Sequence, residues 1–319
     1  MTNTQRTLGA AAVIPIVAVA LVVIFPNQQA FLAQIAITAL LVLSLDLVVG
    51  FAGLATLGHA AMYGAGAYAA ALYSLHVWAE PLTGLVVGIL AGGLVALVSA
   101  LMLMRAHGLT FLMMTVAITQ IIYEIVNKSR AVTGGDDGLY GIMMQPLFGR
   151  FEFDFYGRLA FWYAAVVLWL VFLLLRHIAA SPFGLTARAV RDDGGRVSSL
   201  GGGIFAHRVA LYTLSGGIAG LAGALSAQTV QVVGLNTLSV TYSAEILVML
   251  VMGGTGRLWG ALLGALVFMM IHHYAAEVDP VRWMLFIGAM LVMIVLFLPK
   301  GLFGGLEAAV NRLREGART

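Results

Sequence analysis

Residues 30–49 read AFLAQIAITALLVLSLDLVV, twenty residues of which only Asp46 is charged. A helix of that length rises about 30 Å, the thickness of a bilayer's hydrocarbon core. Nine further apolar segments follow the same reading, at about 8–25, 53–74, 82–104, 109–127, 159–175, 209–232, 241–256, 258–275 and 282–298. Composition agrees. Hydrophobic residues make up 61% of the 319 and charged residues 10%, against about 25% charged in ordinary soluble domains. In lipid every backbone polar group needs a partner within the protein. With no β-barrel alternation, the expected fold is an all-α polytopic bundle of about ten transmembrane helices, a single transmembrane domain over 1–319. Segments 30–49 and 53–74 are joined by a Gly-rich link, as are 241–256 and 258–275, so these pairs read as tight hairpins or broken helices. Segment 8–25 is longer than a signal-peptide core and has no small-x-small site after it, so it reads as a retained span.

Basic residues orient the bundle. With both termini cytoplasmic, twelve of the seventeen Lys and Arg fall inside, among them Arg105, Arg176, Arg188, Arg191, Arg196, Arg208 and Arg257; five fall outside. That is the positive-inside bias. Two connections are long, 128–158 outside and 177–208 inside, and long loops are where function concentrates. Cysteine is absent, which removes disulfides, a thiol nucleophile and Cys metal sites. Lys128 and Lys300 are the two lysines and neither closes a Gly-x4-Gly-Lys-Ser/Thr phosphate cradle, so no ATP site is expected here. No Ser/His pair, His-Glu-x2-His or paired carboxylates suggest catalysis. His59 is a lone imidazole, and His272-His273 point about 100° apart on a helix, so no metal site is expected.

The inner connection begins Ser181-Pro182-Phe183-Gly184-Leu185-Thr186-Ala187-Arg188-Ala189-Val190-Arg191-Asp192. Ser181 suits an N-cap and Pro182 the first helical position. Leu185, Arg188, Ala189 and Asp192 share one side at helical spacing, and Gly194-Gly195 is expected to end the run. From the residues alone this short amphipathic helix is either an anchor to anionic membrane lipid or a lever that docks onto a cytoplasmic motor.

Three further motifs stand out. Asp46-Leu-Val-Val-Gly50-Phe-Ala-Gly53-Leu-Ala-Thr-Leu-Gly58-His59 is matched near the other end of the chain by Glu245, Gly253, Gly254, Gly256 and Gly260, a weak sign of internal duplication. Thr133-Gly134-Gly135-Asp136-Asp137-Gly138-Leu139 is a tight polar turn in the outer loop. With the Ser-Pro-Phe-Gly loop, these segments resemble, in order and over about residues 30–305, LivM-type permeases, the transmembrane subunits of branched-chain amino acid ABC importers. Leu185-Thr186 and Gly194-Gly195 depart from that pattern. The resemblance implies that Ser181, Pro182, Phe183, Gly184, Arg188, Arg191 and Asp192 couple to ATPases. It implies that Asp46, Gly50, Gly53, Gly58, His59, Glu245, Gly253, Gly254 and Gly256 belong to the path or its gate. Thr133, Gly134, Gly135, Asp137 and Gly138 would form an outer loop beneath a binding protein. Expected partners are a second related permease, two ATP-binding subunits that use ATP and Mg, and a periplasmic substrate-binding protein, in a bacterial inner membrane and without nucleic acid.

Intramembrane carboxylates are costly and usually face a cavity or a partner. Asp46 and Glu245 therefore either line the path or hydrogen-bond a broken helix together. Gly88/Gly92, Gly216/Gly220 and Gly260/Gly264 are i,i+4 small-residue pairs suited to close helix packing. Two rival functions use the same residues: a same-family permease for urea, short amides or aromatic acids, and an ion-coupled secondary transporter acting through Asp46 and Glu245.

Overall fold

The computed structural model describes residues 3–146 and 157–278, together with 288–289, 292–293, 296, 301–305 and 307. Its helices are α1 (Asn3–Ile24), α2 (Gln29–Asp46), α3 (His59–His76), α4 (Pro81–Leu103), α5 (Gly108–Lys128), α6 (Arg130–Thr133), α7 (Arg158–Ala180), α8 (Pro182–Ser199), α9 (Ile204–Val230), α10 (Val240–Gly253) and α11 (Leu258–Val278). Helix α2 runs on into a π-helical turn, Leu47–Phe51. Among the described residues the only β pairing is one antiparallel bridge, Leu139 to Val233. Among the described residues six helices are long and apolar enough to cross a membrane: α2 with its π turn, α4, α5, α7, α9 and α11. Shorter apolar stretches lie in α1 and α10. The chain is thus an all-helical, multi-pass membrane protein. Segment 282–298 lies largely outside the described residues.

Two expected spans are shorter than their apolar runs. Helix α3 starts at His59 rather than near 53, and α10 stops at Gly253 rather than 256. Backbone conformation explains both: Gly53 has φ +70°, Gly254 φ +108° and Gly256 φ +77°, all outside the right-handed helical region. Both joints are therefore helix breaks.

Helix α2 lies at the centre, with every residue from Ile35 to Val48 buried. Beside it, α3, α4 and α9 approach to backbone contact. A Cβ on Gly92 would meet Gly216 O and Gly220 Cα, and one on Gly220 would meet the carbonyl of Gly88 and the Cα of Gly92. The two i,i+4 pairs read from the sequence are partners of each other. Gly66 of α3 closes the triangle against Gly220. Without a hydrophobic drive between helices in lipid, such contacts supply the dispersion energy of assembly. Buried Gln228 adds polar ties: its Oε1 accepts from Tyr163 Oη (2.9 Å) and its Nε2 donates to Pro81 O (2.8 Å).

The connections gather at two ends. At one, residues 50–58, α8 and the 254–257 turn meet, along with Gly301, whose Cβ would strike Gly254. At the other, Leu139 pairs with Val233, Gln145 N donates to Ala79 O, and Gly157 abuts Ala30. The first end carries Arg188, Arg191, Arg196 and Arg257.

Candidate functional site

Helix α8 starts as its sequence suggests. Ser181 Oγ accepts from Gly184 N and donates to Ile178 O (2.7 Å), joining α7 to α8 in a tight corner. Gly184 permits it, since a Cβ there would strike the Ile178 carbonyl and Ala179. Gly184, Ala187 and Val190 form the buried face. The Leu185, Arg188, Ala189 stripe is exposed, so the side grouped by the sequence reading is the outer one. Phe183 packs on the His207 ring at 4.4 Å.

Gly194-Gly195 does not end the helix, which continues to Ser199. The break is one residue earlier, at Asp193 (φ −156°, ψ 88°). Its Oδ1 accepts from Arg196 N (3.1 Å), and its carboxylate pairs with the Arg196 guanidinium (2.9 Å). Asp193 therefore acts as an N-cap that restarts the helix, and the glycines sit in its new first turn.

The middle of α8, at Arg188 and Arg191, lies against both helix breaks. Asp46 Oδ1 accepts from Gly256 N at 2.7 Å, tying the end of α2 to the α10–α11 turn. A Cβ on Gly50 would occupy the space of that carboxylate and of the Gly256 backbone. Arg191 Nη1 donates to Gly50 O at 2.5 Å. The aliphatic stem of Arg191 covers Gly53, and the Arg188 guanidinium lies 4.7 Å over the Phe51 ring. Arg191 also pairs with Asp192 at 3.1 Å. Residues 46, 50, 53, 191 and 256, far apart in the chain, thus form one junction.

Irregular backbone at membrane depth survives only where protein satisfies it. Three threonines do so for residues 56–58. Thr115 Oγ1 accepts from Leu57 N (3.1 Å), Thr119 Oγ1 donates to Leu57 O (3.2 Å), and Thr56 Oγ1 accepts from Gly58 N (3.1 Å). Ser243 Oγ accepts from Ala60 N (3.0 Å). The sequence reading missed Thr115 and Thr119; their i,i+4 spacing on an apolar helix was the available signal. His59 sits deeper. Its Nε2 lies 2.8 Å from Ser215 Oγ, which donates to Ser44 O (2.5 Å). It is part of a buried chain between α2, α3 and α9, separate from the Arg191 junction.

Beyond His59, towards the opposite end, lies a cavity of about 380 Å³ bounded by α2, α3, α9, α10 and α11. Tyr63 and Tyr242, with ring centroids 5.4 Å apart, stand in its wall. Gln34, Thr38, Glu245 and His272 supply further polar groups, and Ile37, Met249, Phe268 and Met269 apolar ones. Of the path residues read from the sequence, Glu245 faces this cavity, Asp46, Gly50, Gly53 and Gly256 form the junction, Gly58 packs against Tyr212 and Thr115, and Gly253 and Gly254 pack against Gly260. Gln34 and Thr38 were not singled out, although they are an i,i+4 polar pair on one face of α2.

The 133–139 turn lies at the opposite end. Thr133 Oγ1 donates to Val126 O (2.6 Å), and Gly134, Gly135 and Gly138 all have positive φ. Leu139 then pairs with Val233. Asp136 pairs with Arg130 at 3.0 Å, and Asp137 is exposed. Among the described residues no group of three or more His, Asp or Glu could hold a metal ion.

Comparison with known proteins follows this geometry. The high-affinity branched-chain amino acid transport system permease protein LivM of Salmonella typhimurium is 28% identical over 290 residues, covering 82% of this chain and 66% of that protein. The Escherichia coli protein of the same name is 28% identical over 287 residues, with the same coverage. A probable LivM of Methanocaldococcus jannaschii is 25% identical over 232 residues, covering 68% of this chain and 65% of that protein. The chain spans just under two-thirds of the length of these relatives. No solved structure matches it. The model of the branched-chain amino acid transport system permease component family matches residues 27–295, and the chain belongs to that family.

Proposed function

We propose that the chain is a transmembrane permease subunit of an ATP-binding cassette importer for branched-chain or related hydrophobic amino acids in a bacterial inner membrane. It acts as a single permease domain over 1–319 that couples to separate ATPase subunits and has no ATPase site of its own. The carrying observation is the junction in which Arg191 of α8 bonds Gly50 O while Asp46, at the end of α2, bonds Gly256 N. A lever is useful only where it grips the parts it must move: α8 grips the turn that ends α2, which Asp46 ties to the turn after α10, and α2 and α10 also wall the cavity. Its outer face is left open, with Leu185 56% exposed. Family membership and the names of the relatives support the amino acid substrate.

The arginines at the α8 end support placing that end in the cytoplasm, with about ten spans and both termini inside. Two ATP-binding subunits would dock there and use ATP and Mg. A second related permease would complete the path, and a periplasmic binding protein would deliver substrate near the 133–139 turn. In this reading ATP binding draws α8 with the closing motor. Arg191 and Arg188 transmit the motion to 50–53, and the α2 and α10 ends shift so that access to the cavity alternates.

The test is copurification of a tagged chain, co-expressed with its native neighbours. ATPase subunits are expected with the wild type and not with Leu185→Glu/Ala189→Trp, which changes only the outer face of α8, while the variant's unfolding temperature stays within about 2 °C. ATPases absent from both preparations, or retained by the variant, refute the docking assignment.

A further inference from the structure

Among the described residues lining the membrane cavity, Glu245 is the only carboxylate. It forms no hydrogen bond or ion pair among the described residues. An unpaired intramembrane carboxylate is costly unless it meets water or a cationic partner. Asp46 shows the contrast: it is fully buried, and its Oδ1 is bonded to the Gly256 amide. Asp46 holds backbone, whereas Glu245 is presented to an open space. That space, about 380 Å³, falls within the range of small-molecule sites. A bare metal ion would need several more oxygen or nitrogen ligands, and among the described residues no suitable cluster exists. Apolar Ile37, Met249, Phe268 and Met269 share the cavity. One carboxylate, the hydroxyls of Thr38, Tyr63 and Tyr242, the imidazoles of His272 and His273, and an apolar remainder suit a molecule with one ammonium group, one carboxylate and one aliphatic chain.

We propose that this cavity is a transit site for a zwitterionic α-amino acid, with Glu245 binding its ammonium group. Ile37, Met249, Phe268 and Met269 accept the aliphatic side chain. The Gln34 amide, on the exposed side of α2, donates to the α-carboxylate. This deepens the permease reading above and rests on it. It gives the chain a substrate filter of its own, which rejects aliphatic acids and short amides that lack the ammonium group.

The experiment uses the complete transporter in proteoliposomes with its binding protein, following radiolabelled leucine uptake and ATP hydrolysis together. Glu245→Gln removes the charge and keeps the shape. It is expected to lower leucine uptake at least tenfold while ATP hydrolysis stimulated by the loaded binding protein stays within twofold of wild type. Glu245→Asp, which restores the charge, is expected to recover uptake to within about threefold. Wild-type uptake by Glu245→Gln overturns the proposal. Equal loss of uptake and hydrolysis also overturns it, since that is the signature of a structural carboxylate. A wild-type complex that hydrolyses ATP but takes up no leucine refutes the permease reading itself, and the site assignment with it.

Discussion

Gly220 and Gly217 lie three residues apart on α9 and should respond in opposite directions to the same added methyl group. At Gly220 the new Cβ would meet the carbonyl of Gly88, the Cα of Gly92 (2.8 Å) and the N of Gly92 (3.0 Å). All are backbone atoms of α4, so no side chain can turn away and the helices must separate. Such overpacking costs about 1–3 kcal/mol. At Gly217 the Cβ would lie 3.5 Å from Ile89 Cγ2, an ordinary contact. There the substitution keeps only the gain in helix propensity, up to about 1 kcal/mol. Gly220→Ala carries the same gain against its strain, so the two variants should differ by about 1–3 kcal/mol, or about 5- to 150-fold in the folded-to-unfolded ratio. Denaturant titration in mixed micelles, followed by tryptophan fluorescence, measures it: the midpoint should fall for Gly220→Ala and hold or rise for Gly217→Ala. Equal midpoints, or a lower one for Gly217→Ala, would refute backbone contact as what holds α4 on α9.

Three other outcomes follow from the junction and the outer turn. Asp46→Ala leaves the Gly256 amide without its acceptor and should lower stability by about 1–3 kcal/mol, whereas Asp46→Asn keeps an oxygen there and should lose less than half of that; matching unfolding midpoints for the two would discount the bond. Arg191→Ala removes the bond to Gly50 O; because the side chain is partly exposed, about 1 kcal/mol is expected, seen as roughly fivefold faster hydrogen exchange in α8 with α9 unchanged. Gly134→Ala should destabilise more than Gly141→Ala: both have strongly positive φ, costing about 1–2 kcal/mol, but only at Gly134 would the Cβ meet a backbone carbonyl, that of Gly138. Equal unfolding temperatures for that pair would remove the close approach.

The helical membrane class was legible because hydropathy is a one-dimensional property: the run at 30–49 needs no tertiary context to be long enough. The i,i+4 glycine pairs were legible for the same reason, since spacing on one helix is local. Their mates were not. Nothing in Gly88/Gly92 says that it meets Gly216/Gly220, and Gly66 has no i,i+4 glycine to mark it. The α8 helix was misread where two local signals competed. Gly194-Gly195 is a strong breaker pattern, yet the Asp193 side chain satisfied Arg196 N and moved the break one residue earlier. The candidate site divides similarly. Charge in an apolar run identified Asp46 and Glu245, but their different surroundings, a bonded turn and an open cavity, depend on which helices face them.

Helix α10 has 14 residues, a rise of about 21 Å, some 9 Å less than a typical hydrocarbon core. Its two ends therefore cannot both reach the membrane surfaces, and with the 254–257 turn gathered among the arginines it is the Ser239 end that stops short. A solute in the cavity beside α10 therefore meets this helix over only about two-thirds of the slab, and the longer α2, α9 and α11 wall the rest.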